Sequence, residues 1–123
     1  MNKRIKKYFD LAKKLSKKSN HHTHKLGCVV FKGNSVVAMG FNKIKTHPKS
    51  PHAYNMLHAE IDALIGADPA DLKDAEAIIY RENKSSGNVG LAKPCKVCAK
   101  ILEDVEVKRV YYTTSEGYEY YDI

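Results

Sequence analysis

Two short segments restrict the fold more than anything else in the chain: His58-Ala59-Glu60 and Pro94-Cys95-Lys96-Val97-Cys98. Each falls at the expected start of a helix. Cys95 and Cys98 stand three apart on one helix, so both sulfurs emerge on the same face. The partial positive charge of a helix N-terminus favours thiolates there. One His and two Cys make three protein ligands, and a catalytic zinc site reserves its fourth position for water. Glu60 follows His58 by two residues, so it can point into the same pocket without ligating and move protons there. Such a site needs two helix starts brought together, with residues 61–93 supplying the strand between them.

Other chemistry for the cysteine pair fits less well. A structural zinc site closes with four protein ligands, and neither half offers a second His or Cys pair. A redox pair has no call for His-Ala-Glu. The chain holds 3 cysteines, an odd number with two in one motif. That suits metal chemistry in a reducing compartment rather than a disulfide framework. Cys28 lies in an apolar strand and reads as a small buried hydrophobe.

The rest of the sequence supplies the scaffold. Ile5, Tyr8, Phe9, Leu11, Ala12 and Leu15 form one apolar stripe, which predicts a helix over 3–18 ended by Ser19-Asn20. Residues 26–31 and 35–41 are β-rich runs joined by Lys32-Gly33-Asn34, a hairpin signal. Residues 42–55 read as a polar loop, 57–66 as a helix, and Asp68-Pro69 as the opening of a short helical turn. A strand over 75–80, a loop over 82–93, a helix over 95–105 and a strand over 107–113 follow, with a short last strand over 118–123. Strands joined through a helix should pair parallel and right-handed. The connection after Thr114 is too short for a crossover, so the last strand must return antiparallel. The expectation is an α/β domain with a mixed sheet of about five strands flanked by helices.

A chain of 123 residues suits one domain over 1–123. No apolar run approaches the ~20 residues needed to cross a bilayer, and no secretory signal follows the basic N-terminus. These features predict a cytoplasmic protein with no membrane partner. The net charge of +7 favours anionic partners such as nucleotides or nucleic acid. Much of the excess sits in the first helix, at Lys3, Arg4, Lys6, Lys7, Lys13, Lys14, Lys17 and Lys18, where a solvated face accounts for it more simply.

The His-x-Glu with Pro-Cys-x-x-Cys, set in this order of elements, resembles the cytidine and deoxycytidylate deaminase superfamily of zinc enzymes. The resemblance runs from about Leu26 to Thr113. Lys45-Thr46-His47-Pro48, residues 57–63 and Lys93-Pro94-Cys95 also look like small bacteriophage members. It implies a three-layer cytidine-deaminase-like fold, zinc held by His58, Cys95 and Cys98, and Glu60 as general acid and base. It further implies that the Ala59 amide and the Pro94 carbonyl contact the base and that Asn42 holds the sugar. The implied reaction is hydrolysis at cytosine C4 or adenine C6 with loss of ammonia, in a protein that assembles as a homo-oligomer.

Substrate is less legible. A cytosine nucleoside or nucleotide is the first reading. A polynucleotide editor acting on transfer RNA or single-stranded DNA is the second, and a zinc-stabilised interaction module the third. The antiparallel last strand resembles the free-nucleoside branch, and Leu57 stands where deoxycytidylate deaminases often have Arg. The basic loop after Asn42 argues for a phosphate: Lys43, Lys45, His47 and Lys49, with Lys25 as a second source, are the candidate phosphate-binding residues, though a solvated loop explains them as well. His52 lies in the same loop. His21, His22 and His24 read as a polar loop rather than a second metal site. Tyr118, Tyr120 and Tyr121 read as sheet packing rather than cover for a substrate.

Overall fold

The computed structural model describes residues 2–21, 23–44 and 57–123. Helix α1 (Lys3–Ser16) is capped by Asn2, whose side chain accepts from the Ile5 N–H at 2.8 Å. It ends two residues before the expected boundary, where the Ser16 hydroxyl donates to the Lys13 carbonyl at 2.6 Å. The hairpin β1 (His24–Lys32) and β2 (Ser35–Phe41) turns at Gly33, whose φ of +61° suits glycine. Next come α2 (Ala59–Ile65), the single turn α3 (Pro69–Leu72) and β3 (Glu76–Asn83). Then α4 (Lys96–Asp104), β4 (Arg109–Thr114) and β5 (Gly117–Asp122) complete the chain.

The five strands lie in the order β2-β1-β3-β4-β5. β3 and β4, joined through α4, pair parallel, and β5 returns antiparallel along β4, both as the connection lengths predict. β3 is longer than expected. It runs three residues past Tyr80, and Arg81, Glu82 and Asn83 pair with Leu26, Lys25 and His24 of β1. Charged residues there looked like loop, but the ladder with β1 holds them in the strand.

Alternation along the strands makes two apolar faces. Cys28 and Val30 of β1, with Ala77 and Ile79 of β3, pack with Ala59 and Ala63 of α2, Leu72 of α3 and Leu102 of α4. Val29, Phe31, Ile78 and Tyr80 face the other way, onto Ile5, Tyr8, Phe9, Ala12 and Leu15 of α1. The result is three layers, with α1 alone on one side. A third cluster, Leu57, Ile61 and Cys98 with Ile65 and Ile101 against them, closes the seam between α2 and α4.

Two glycines let the helices sit on the hairpin backbone. A Cβ on Gly40 would lie 2.4 Å from the Ala63 nitrogen and 2.6 Å from the Ala59 carbonyl oxygen of α2. One on Gly27, facing the opposite way, would lie 2.0 Å from the Ala12 carbonyl oxygen of α1. Asp62 then ties α2 to β2, accepting from the Phe41 N–H at 3.0 Å.

Candidate functional site

His58 is the N-cap of α2 and Cys95 the N-cap of α4, so the α2–α4 seam sets both halves of the motif side by side. His58 Nδ1 lies 3.5 Å from Cys98 Sγ and 4.0 Å from Cys95 Sγ. Cys95 Sγ accepts from the Cys98 N–H at 3.5 Å and so caps the first turn of α4. One ligand atom from each of His58, Cys95 and Cys98 falls within 4.8 Å of the others. Cys95 is exposed and Cys98 buried, so the group is reachable from one side. Burial pushes the Cys98 thiol up, and the neighbouring Glu60 charge and Cys95 add to this. A divalent cation reverses that balance and holds a thiol deprotonated.

Glu60, on the first turn of α2, is 4% exposed. Burial raises its pKa, opposed by hydrogen bonding to its own backbone and to Cys98. Its Oε1 is buried and has no hydrogen-bond partner among the described residues. A cavity of about 220 Å³ opens over this carboxylate and His58, with Ala59 and Cys95 also in its wall.

Asn42 reaches the cavity too, and it is braced. Its Oδ1 accepts from the Leu26 N–H at 2.8 Å, and its Nδ2 donates to the His24 carbonyl at 3.0 Å. Pro94 lies between Lys93 and Cys95, both of which line the cavity. The candidate phosphate residues are placed differently. Lys25 sits opposite Glu82, in the alternation that faces α1 rather than the cavity. Lys43 is engaged by Asp62 at 3.1 Å and lies 4.1 Å from the Phe41 ring centroid. Lys45, His47, Lys49, His52 and His22 lie outside the described residues.

Four polar or charged residues of the cavity wall escaped sequence reasoning as substrate contacts: His21, His24, Arg81 and Lys93. The His21 and His24 rings stack, 5.9 Å between centroids, and His21 Nδ1 accepts from the Thr23 and His24 N–H groups. Extending the alternation Ala77, Ile79 by one step would have put Arg81 on the face of the site. Cys28 is fully buried in the core, as a small hydrophobe. The late tyrosines pack on the sheet: Tyr118 against Phe9, Tyr120 against Tyr111, and Tyr121 against Tyr112.

A nitrogen and two sulfurs at metal spacing suit zinc, and the unpartnered Glu60 oxygen beside them suits a catalytic rather than a closed site. Fold and centre together define a three-layer α/β zinc domain with a buried carboxylate at the metal. Residues 2–114 match the family model described as the cytidine and deoxycytidylate deaminase zinc-binding region, and the chain belongs to that family.

Among its relatives, a probable deoxycytidylate deaminase of Caenorhabditis elegans is 25% identical over 89% of this chain. The chain spans 57% of that relative's length. The solved dCMP deaminase of cyanophage S-TIM5, in complex with dCMP and dUMP, has a TM-score of 0.63. It is 24% identical, covering 93% of this chain and 84% of that one. Cytidine deaminase of Burkholderia pseudomallei has a TM-score of 0.65 at 15% identity, covering 99% of this chain and 93% of that one. Both share the fold.

Proposed function

We propose that the protein hydrolyses the exocyclic amine of a cytosine nucleoside or nucleotide, with His58, Cys95 and Cys98 holding zinc and Glu60 moving the protons. When bound, zinc supplies Lewis-acid activation of water at neutral pH. Glu60 takes the two protons of the attacking water in turn, giving one to ring N3 and the other to the departing amine. Across the reaction the water oxygen bonds to C4, the C4–N bond breaks, and ammonia leaves. Asn42, braced against β1, holds the sugar, and the Ala59 amide at the start of α2 meets the base.

The observation that carries this reading is the buried Glu60 oxygen beside the candidate ligands, which meets no hydrogen-bond partner among the described residues. A zinc-stabilised interaction module gains nothing from a buried carboxylate with one unsatisfied oxygen, which costs folding free energy. The polynucleotide reading is disfavoured by the placement of α1, whose lysines lie across the sheet from α2 and α4.

The test is ammonia release by the zinc-loaded protein from cytidine, deoxycytidine, their monophosphates, adenosine and a single-stranded oligonucleotide. Release from cytosine nucleosides or nucleotides is expected. Release from adenosine or the oligonucleotide alone, or from none of them, overturns the proposal.

A further inference from the structure

The cavity wall is unevenly charged. Glu60 is the acid in it, while Arg81 and Lys93 bring cations and His21 and His24 bring imidazole rings. Arg81 extends along the chain after β3, its guanidinium donating to the Leu91 carbonyl at 3.2 Å and its stem passing over Gly90. The other two arginines of the chain each meet a carboxylate, Arg4 with Glu76 and Arg109 with Asp122. Among the described residues, no carboxylate lies within ion-pair distance of Arg81 or Lys93. In the same cavity, His24 Nδ1 is buried without a hydrogen-bond partner among the described residues.

We infer that Arg81, with His24 and Lys93, forms an anion site that takes the 5′-phosphate of a cytosine mononucleotide. This rests on the deaminase reading and names the substrate class of that same pocket. The strand register places the anion site where a nucleotide requires it. Asn42 is bonded to Leu26 and His24 of β1, and Arg81 is the β3 residue opposite Leu26. The guanidinium therefore stands one strand over from the sugar-holding amide, while Glu60 and His58 hold the base end. Arginine's planar fork matches two phosphate oxygens at once, and a bound phosphate supplies the counter-charge the half-buried guanidinium lacks. A mononucleotide fits better than a strand, because the α1 lysines that would guide flanking phosphates lie across the sheet.

The test compares zinc-loaded wild type, Arg81→Gln and Arg81→Lys on deoxycytidine and deoxycytidylate. Wild type is expected to prefer deoxycytidylate. The ratio of its kcat/KM to that of deoxycytidine should fall roughly ten- to hundredfold in Arg81→Gln, the worth of one charge-assisted contact. Arg81→Lys should recover part of it. Wild-type preference for the nucleoside, an unchanged ratio in Arg81→Gln, or preference for a single-stranded oligonucleotide overturns the site. Calorimetry reads binding without turnover: wild type should bind deoxyuridylate more tightly than deoxyuridine, and equal affinity overturns the site even if no variant folds. Deoxyuridylate binding through Arg81 with no ammonia released from any cytosine compound would support the anion site and overturn the deaminase reading alone.

Discussion

Glu60 is buried, yet one of its oxygens meets no donor among the described residues. An unsatisfied buried polar atom costs about 1–3 kcal/mol, and folded chains keep few of them. In the proposed reaction that oxygen takes and returns a proton, which gives the cost a purpose. Glu60→Ala should therefore lower kcat by roughly a hundred- to ten-thousandfold while zinc content, measured by elemental analysis, stays unchanged. Loss of zinc in this variant would make Glu60 a ligand, and retained turnover would remove it from the chemistry. The grouping of His58, Cys95, Cys98 and Glu60 was legible because short spacings at helix starts fix which way side chains point. Arg81 and His24 were not, because their meeting depends on pairing between β1 and β3, which no local spacing encodes.

At the scale of elements, the hairpin, α2, α4 and the parallel β3–β4 pair were readable from periodicity and connection length. The end of β3 was missed because Arg81 and Glu82 look like loop residues until β1 is set beside them. Gly27 and Gly40 lie inside strands, and each marks a helix lying directly on the backbone. They make a controlled comparison. Alanine at either position overpacks a helix–strand contact and should cost about 1–3 kcal/mol. Gly40→Ala displaces α2, which carries His58 and Glu60 at its start, whereas Gly27→Ala displaces α1 on the far face. Assayed well below both melting midpoints, Gly40→Ala should lose on the order of a hundredfold more kcat than Gly27→Ala, as expected for a misplacement near 1 Å. Equal losses would mean that the seat of α2 on the hairpin does not position the site.

Over the whole molecule, a net charge of +7 said little about the partner until the layers were known. Much of the excess lies on α1, across the sheet, while Arg81 and Lys93 line the cavity. The three layers assign the two tasks to opposite faces: α1 covers one side of the sheet, and α2 with α4 builds the metal centre on the other. The proposed function requires zinc at that centre to drive deamination. Its most direct test reconstitutes metal-free protein with zinc while ammonia release from deoxycytidine and deoxycytidylate is followed, with Cys95→Ser alongside. Cys95 is exposed, so its loss removes a ligand with little effect on packing. Activity should rise in proportion to zinc up to one ion per chain, and the Cys95→Ser variant should lose zinc and activity together. Full activity without metal, or one tightly held zinc per chain with no ammonia from either compound, would contradict it.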